Sequence, residues 1–175
     1  MRIDQSQSIH FPVYSAIRLS EIPIPAGHKG LVYKYRIIYG ADLEKTEFIE
    51  YTPRPIERLK LVEANDLEYS YKYLDRSAIN ALLSRTTGKE DIIIIKNGVI
   101  TDTSFTNLAF FTGSKWLTPA SPLLQGTCRK RLIHEGRLIE EEIVPKDLVK
   151  FRKVSLINAM LDLDEWSLPM HRISG

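Results

Sequence analysis

The chain alternates between short runs rich in β-branched and aromatic residues and polar breaks that contain proline or glycine. In the first third, three such runs predict a meander of strands at residues 11–19, 30–40 and 45–53. The loop sequence PIPAG separates the first two runs, and Pro53 and Pro55 interrupt the pattern after the third. We therefore expect a domain boundary there, with a small domain at 1–54 and a larger one at 55–175.

Strand-like and helix-like patterns are mixed in the remainder of the chain. The runs at 57–63 and 69–74 are candidate strands, and the apolar residues of the following SAINALLSR share one helical face. Gly88, just beyond this segment, is expected to end the helix.

The clearest local signal is DIIIIKNGVITD, in which four isoleucines, the pair Asn97-Gly98 and a second apolar run predict a hairpin with a tight primed turn. NLAFF and GSKWLTP continue as strands, and PLLQGTCRKRLIHEG predicts a turn into a helix that begins after Gly126. A mixture of strand and short helix closes the chain. The pattern as a whole predicts an α+β fold, with helices packed on mixed sheets.

Composition narrows the class of protein. The 24 basic and 22 acidic residues leave a net charge of only +2, which argues against a nucleic-acid-binding protein because such proteins carry a basic face. No apolar run approaches the roughly 20 residues that span a bilayer, and the N-terminal segment lacks the apolar core of a signal peptide. We therefore expect no nucleic-acid partner and no membrane association.

Cysteine and histidine usage adds two further expectations. The single cysteine, Cys128, allows no intrachain disulfide and is typical of a reducing compartment, so we expect a cytoplasmic location. We also expect no metal site, because no metal-ligand spacing relates Cys128 to the four histidines or the histidines to one another: His10, His28, His134 and His171.

The first candidate for chemistry is Lys72, which lies among tyrosines just ahead of the predicted helix. Partial burial at such a position lowers the pKa of a lysine and makes its neutral amine available as a nucleophile, which Schiff-base chemistry needs. The alternative is an ordinary exposed lysine on an edge strand, and position alone favours that alternative.

The second candidate is Asp102, at the end of the predicted hairpin. A carboxylate can face a pyridine nitrogen and keep it protonated, so that the ring accepts electrons. The alternative is a turn residue that accepts hydrogen bonds from local backbone amides. Small polar residues surround Asp102 and can serve either a bound anion or the turn itself: Thr101, Thr103, Ser104, Thr106 and Asn107.

The third candidate is the Gly126-Thr127-Cys128 turn at the start of a predicted helix. Backbone N–H groups and the positive end of the helix dipole favour an anion there. The alternative is a helix start that the Thr127 side chain caps. In this order, the three segments supply an amine, a carboxylate and a phosphate cradle, and together they predict a site for pyridoxal 5'-phosphate.

On these three segments the chain resembles the aminotransferase class IV family, which includes branched-chain and D-amino-acid transaminases and aminodeoxychorismate lyases. The resemblance extends from about Arg58 to the C-terminus. It implies the two-domain fold of the D-amino-acid aminotransferases, with a shortened N-terminal domain at 1–54 and a cofactor-binding domain with a mixed sheet at 55–175.

The resemblance also implies roles for single residues. Lys72 forms the internal aldimine with pyridoxal phosphate and moves the substrate α-proton, and Asp102 stands where the family usually carries a glutamate beside the pyridine nitrogen. The phosphate-binding segments of the family correspond to a further set of residues: Ser104, Thr106, Gly126, Thr127 and Cys128.

Three other positions also match the family. Their residue types alone do not suggest a role in the chemistry. Asn107 matches an asparagine taken as structural, and Arg129 matches the last residue of a Gly-Ile/Val-Thr-Arg pattern. Asn158–Met160 resembles a late segment that approaches the substrate side.

The chain departs from the family in its first domain. Relatives carry a helix there that supplies an arginine to the cofactor phosphate, and this helix is missing between the runs at 11–19 and 30–40. Arg18 and Arg36 are candidates for that role only because they lie in the retained first-domain runs. In addition, Cys128 replaces a threonine whose hydroxyl helps to hold the phosphate.

Three functions stay open. The first is a class IV aminotransferase that acts on an amino acid. The second is an aminodeoxychorismate-type lyase, which the spacing of Lys72, Asp75 and Arg76 resembles. The third is a degenerate relative that keeps the fold without catalysis and binds a ligand or a partner. The resemblance implies an amino-acid or amino-sugar-acid-like small-molecule substrate and a homodimer.

Overall fold

The computed structural model describes residues 2–26 and 30–175, which divide into two compact units, Met1–Arg54 and Pro55–Gly175. Gly27 of the predicted loop and His28 lie outside the described residues. The roles that the resemblance assigns to the two parts of the chain stay predictions. Within the described residues, no helix has the length and apolar character needed to cross a membrane.

The described residues of the first unit contain one α-helix, one short 3₁₀ helix and one antiparallel hairpin. Helix α1 covers Arg2–His10, and strands β1 (Tyr33–Tyr39) and β2 (Leu43–Glu50) pair along their length. Gln7 is buried in this unit, and its side-chain amide donates to the backbone carbonyl oxygens of three residues within 3.3 Å: Ser15, Gly40 and Ala41. The amide therefore fastens α1 to the turn of the hairpin.

The predicted three-stranded meander is wrong in its first member. Residues 11–18 form no strand, and a short 3₁₀ helix follows at Leu19–Glu21. β-propensity measures how well a side chain fits a pleated, half-buried surface, and no described strand pairs with this run. Pro12 also lacks the N–H that a ladder needs, and Val13 is 83% exposed.

The second unit is built on a nine-stranded mixed sheet. The strand order along the main path is β10-β9-β6-β5-β4-β3-β11, with β7 beside β6 and β8 beside β7. Three neighbouring pairs are parallel (β11 with β3, β3 with β4, and β7 with β8), and the others are antiparallel. The strands are β3 (Arg58–Glu63), β4 (Glu90–Lys96), β5 (Val99–Thr103), β6 (Asn107–Phe111), β7 (Trp116–Pro119), β8 (Ile139–Glu141), β9 (Lys153–Ile157), β10 (Ser167–Pro169) and β11 (Ile173–Ser174).

Two α-helices and two further 3₁₀ helices complete this unit: α2 (Ser77–Leu83), α3 (Thr127–His134), Pro145–Lys150 and Met170–Arg172. The α+β prediction is confirmed. Helix α2 ends at Leu83, before the predicted stop at Gly88, because Thr86 N–H already donates to the Leu83 carbonyl. Gly88, with φ of 57°, instead serves the turn that leads into β4.

The predicted hairpin is confirmed and joins β4 to β5. Asn97 and Gly98 have φ values of 53° and 79°, so both central residues are left-handed, as a type I′ turn requires. Asparagine and glycine tolerate that conformation better than other residues do, which is why the pair fixes the register of the two strands.

Strand β4 explains how the sheet is covered on both faces. Its isoleucines alternate between two buried clusters: Ile93 and Ile95 lie in the main core, whereas Ile92 and Ile94 pack with Ile79 of α2. A third cluster places Leu132 of α3 against the sheet. A strand buried on both faces reads as a continuous apolar run, and the four isoleucines provide that run.

Candidate functional site

Lys72 lies in an irregular segment rather than at the end of a strand, so the strand predicted at 69–74 is wrong. The Tyr73 N–H donates to the Tyr71 carbonyl at 2.9 Å, and Lys72 is therefore the middle residue of a three-residue turn. The Tyr69 hydroxyl donates to the Tyr73 carbonyl at 3.2 Å, and the Tyr69 and Tyr71 rings meet the Tyr73 ring edge to face. The aromatic contacts hold a turn that presents Lys72, an exposed residue, at the surface of the second unit.

Asp102 occupies the opposite kind of environment. It is 5% exposed and lies in β5, where its only register partner in β6 is Asn107. The Asn107 side-chain amide donates to Asp102 Oδ1 at 2.7 Å, and the Leu124 N–H donates to Oδ2 at 2.9 Å. Asn107 also donates to the Leu124 carbonyl at 2.8 Å, which closes the three residues into a ring of hydrogen bonds, here called the Asp102 corner.

Burial dominates the electrostatics of Asp102. Removal from water raises the pKa of this carboxyl from 3.8 to about 7, although the N–H donors of Leu124 and Asn107 and the charge of Arg129 act in the opposite direction. A cation placed against the carboxyl would oppose the effect of burial and favour the carboxylate. Asp102 is thus an acceptor whose charge responds to what lies beside it.

Helix α3 starts directly behind this corner. Gly126 is its N-cap residue and makes no side-chain cap, so the alternative in which Thr127 caps the helix is wrong: Thr127 is the first helical residue. The Lys130 N–H donates to the Gly126 carbonyl, and the preceding backbone N–H groups of the first turn have no acceptor within the helix. These N–H groups are a general feature of helix starts that favours an anion.

Gly126 is required by space and not by its backbone angles. Its φ of −67° is ordinary for any residue, yet a Cβ at this position would lie 1.9 Å from Asn107 Oδ1. The same Asn107 side chain therefore holds the Asp102 carboxyl and sets the distance to the start of α3. The predicted residues Asp102, Asn107 and Gly126 are brought together by this contact.

The two hydroxyls predicted to face a phosphate lie in the turn that joins β5 to β6, and both are used in contacts within the second unit. Ser104 Oγ donates to Asp91 Oδ2 at 3.0 Å. Thr106 Oγ1 lies 2.7 Å from Thr103 Oγ1, and both threonines are buried. The described contacts of these hydroxyls are thus internal, and a contact with phosphate stays a prediction.

Cys128 also points inward. Its thiol donates to the Leu161 carbonyl at 3.7 Å, and burial raises the pKa of this thiol. Arg131 of the same helix pairs with Asp162 at 3.0 Å. Cys128 and Arg131 therefore join α3 to the segment that follows Asn158–Met160, the stretch predicted to approach the substrate side.

Arg129 is a scaffold residue whose role the pattern did not indicate. It is 2% exposed, and its guanidinium donates to four acceptors between 2.7 and 3.2 Å: Thr118, Pro119, Gln125 and Glu140. A guanidinium with this many partners fixes α3 on strands β7 and β8. In the sequence, Arg129 is a basic residue on a short helix. The apolar Leu132 three positions later gives no local sign that Arg129 itself is buried.

The two arginines considered for a phosphate contact lie in ion pairs within the first unit. Arg18 Nη1 contacts Glu21 at 3.1 Å, and Arg36 Nη1 contacts Glu47 at 3.2 Å. Neither contact involves a residue of the second unit. The role proposed for them from the resemblance stays without support from the structure.

Sequence comparison places the chain among known proteins. A family model for amino-transferase class IV matches residues 49–163. An uncharacterized protein of Haemophilus influenzae is 38% identical over 148 residues, which cover 85% of this chain and 78% of that protein.

Structural comparison agrees. A crystal structure from Haemophilus somnus, provisionally named 4-amino-4-deoxychorismate lyase, matches with a TM-score of 0.84 and 31% identity over 93% of this chain and 87% of that one. Because 93% of this chain is matched, the match includes most of the first unit. A provisionally named amino-acid aminotransferase from Mesorhizobium loti has a TM-score of 0.66 and 18% identity over 81% of this chain and 72% of its own, which supports the fold alone.

Proposed function

Because the chain belongs to the amino-transferase class IV family, we propose that it is a pyridoxal-phosphate-dependent enzyme that acts on the α-carbon of an amino acid. The observation that carries the proposal is the Asp102 corner: a buried carboxylate held from two sides, beside the start of a helix. A buried acid with a perturbed pKa next to a helix start is an arrangement expected of a functional site.

The chain offers groups of the kinds that can bind pyridoxal phosphate. Lys72 offers an amine that can bond a cofactor aldehyde, and Asp102 offers a carboxylate for the ring nitrogen. The first-turn N–H groups of Thr127 and Cys128 offer donors for the phosphate, which would not depend on the Cys128 thiol. When bound, pyridoxal phosphate supplies a ring that accepts the electrons of a carbanion formed at the substrate α-carbon.

The residues of the chain supply the proton chemistry. We propose that the Lys72 amine, presented on its exposed turn, takes the proton from the substrate α-carbon and returns it. Asp102 stays ionised when the positive ring nitrogen lies against it, since an opposite charge lowers the pKa of a buried acid. Asn107 and Leu124 keep the Asp102 carboxylate in one orientation for that contact.

Two reactions compete within this proposal. Transamination, in which an amino group passes to an oxo acid, is our first choice for the reaction. The second is a lyase reaction, and the specific observation in its favour is the 31% identity to the provisionally named lyase from Haemophilus somnus, together with the Lys72, Asp75 and Arg76 spacing. The two differ in whether the reaction needs an oxo acid as amino acceptor.

The test is the visible absorption spectrum of the protein with added pyridoxal phosphate. The wild type and Lys115→Ala, which removes an exposed lysine elsewhere in the second unit, should both develop the band of a lysine-bound cofactor. Lys72→Ala should develop none. A wild type without a band at saturating cofactor would favour the third function, a relative that binds other ligands without this chemistry.

An activity assay on the same protein with added cofactor distinguishes the two reactions. Amino-acid substrates that give product only with an added oxo acid indicate transamination, and product without one indicates a lyase.

We further propose a homodimer in the cytoplasm with a small-molecule amino-acid or amino-sugar-acid-like substrate. Sedimentation velocity of the purified protein should give twice the 20.1 kDa chain mass.

A further inference from the structure

Ser104 is held from two sides by residues that the mechanism does not use. It lies in the turn between β5 and β6, two residues after Asp102, and it is 5% exposed. Its hydroxyl donates to Asp91 Oδ2 at 3.0 Å, and its carbonyl accepts from Arg76 Nη2 at 2.5 Å. Asp91 comes from β4, whereas Arg76 directly precedes α2.

Arg76 is fixed in this contact at a cost. Its Nε is buried and, within the described residues, has no hydrogen-bond partner. A buried donor without an acceptor destabilises the folded state, and an arginine side chain long enough to reach water would ordinarily avoid this state. The guanidinium therefore keeps its contact with the Ser104 carbonyl although its Nε has no partner.

The Asp91 side chain supports the same arrangement. Asp91 is fully buried, and one of its oxygens accepts the N–H of Ile92 at 2.8 Å. Its other oxygen accepts the Ser104 hydroxyl, while Arg76 contacts the Ser104 carbonyl. Ser104 is therefore held through its side chain and its backbone at once.

Arg76 is also the last residue of the segment that carries Lys72. This segment runs from the Lys72 turn to the start of α2, where Asp75 accepts the Ser77 N–H at 2.8 Å. We propose, on the basis of the function proposed above, that Arg76 is a positioning residue. Through the Ser104 carbonyl it ties the Lys72 segment to the turn that follows Asp102, and so fixes the amine relative to the carboxylate. Ser104 then serves as a support and not as a phosphate ligand.

The test compares Arg76→Gln with Arg85→Gln, which changes an exposed arginine beyond the other end of α2. In the cofactor-free protein, amide hydrogen exchange of peptides covering 69–76 should become about tenfold faster in Arg76→Gln, because the loss of one charged hydrogen bond frees the segment. Peptides from α3 should not change, and Arg85→Gln should match the wild type throughout.

The second measurement uses added pyridoxal phosphate. In Arg76→Gln the visible band should form about tenfold more slowly and titrate at a shifted pH, since the amine and the carboxylate remain but their distance is no longer fixed. Arg76→Lys, which keeps one charged donor, should recover part of both effects. Unchanged exchange and an unchanged band in Arg76→Gln would overturn the proposal.

Ser104→Ala separates support from phosphate binding, and Arg76→Lys replaces Arg76→Gln if that variant fails to fold. Because Ser104→Ala keeps the carbonyl that Arg76 contacts, a support role predicts exchange at 69–76 close to that of the wild type and cofactor affinity reduced by less than about threefold. A large loss of affinity with normal exchange would make Ser104 a ligand and overturn its role here. If the wild type shows no band, the proposed function fails, while the exchange data on the cofactor-free protein still decide whether Arg76 holds the segment.

Discussion

The two ends of the candidate site are built in opposite ways. Asp102 is buried on a strand, and both of its carboxylate oxygens accept N–H groups within 2.9 Å. Lys72 is exposed on an irregular turn, which tyrosine contacts and the backbone hydrogen bond from Tyr73 to Tyr71 hold together. The ring-side group therefore lies on a buried strand, whereas the amine is carried by an exposed, irregular segment outside the strands.

This difference suits what each residue is proposed to do. A carboxylate that faces a ring nitrogen has one geometry to keep, and a rigid scaffold keeps it best. A lysine that first bonds a cofactor and then moves a proton needs reach, because its amine occupies more than one position. A comparison of variants at the two ends should therefore show large stability effects at the Asp102 corner and small ones at the Lys72 turn.

The largest effect is expected for Gly126→Ala. The new Cβ would lie 1.9 Å from Asn107 Oδ1, and Asn107 cannot withdraw without breaking its hydrogen bonds to Asp102 and Leu124. We expect a loss of about 3 kcal/mol in the free energy of unfolding, measured by urea denaturation. Lys130→Ala, an exposed position on the same helix, is the control and should change little.

The combination with Asn107→Ala gives a sharper form of this test. If the clash is with the Asn107 side chain, the effect of Gly126→Ala should shrink strongly in the Asn107→Ala background. Equal effects in both backgrounds would show that the glycine is needed for another reason.

Asn107→Ala alone is expected to have the next largest effect. It removes a donor from the buried Asp102 carboxylate and another from the Leu124 carbonyl, so two acceptors lose a partner. The free energy of unfolding should fall by about 2 kcal/mol. Thr112→Ala, which removes exposed hydrogen bonds in the turn after β6, should cost less than about 1 kcal/mol. A smaller effect for Asn107 than for Thr112 would contradict the role of the corner.

The pH dependence of stability tests the charge of Asp102. Its pKa rises from 3.8 to about 7 on folding, so the folded state binds a proton more tightly than the unfolded state between these values. Stability should therefore fall as pH rises from about 4 to about 7, by about 1 kcal/mol per pH unit, and then level off. Asp102→Asn should lack this component, which is seen by comparing urea midpoints of the two proteins across that range.

The smallest effect is expected at the Lys72 turn. Tyr69→Phe removes the hydroxyl that donates to the Tyr73 carbonyl, an exposed bond of 3.2 Å. The free energy of unfolding should change by less than about 1 kcal/mol. Hydrogen exchange at 69–73 should nevertheless become faster, whereas a loss of stability as large as that of Asn107→Ala would contradict the contrast between the two ends.

The elements that sequence predicted correctly are those whose cause is local. Asn97-Gly98 determines its own turn, and the four isoleucines of β4 determine a strand buried on both faces. The start of α3 after Gly126 was likewise visible in a short stretch. Residues 11–19 contain β-branched and aromatic residues and residues 69–74 contain three tyrosines, but no described strand pairs with either segment, and propensity cannot show that.

The candidate site shows the same division. Lys72, Asp102 and the α3 start could be proposed from residue types and their order. The contact between Gly126 and Asn107 joins positions far apart in sequence, so its need for glycine was invisible. Asp91 and the contact between Arg76 and Ser104 were missed for a similar reason, although a carboxylate directly ahead of four buried isoleucines was a usable signal of a buried polar contact.

The inward-facing thiol of Cys128 can report how often one part of the molecule opens. Because it is the single cysteine of the chain and is largely buried under the Leu161 carbonyl, a thiol reagent must wait for α3 or the 158–163 segment to open. The labelling rate, divided by the rate for a small free thiol at the same pH, gives the equilibrium constant of that opening without any engineered probe. Phosphate or pyridoxal phosphate, added during labelling, would lower the labelling rate in proportion to how strongly it stabilises the closed start of α3.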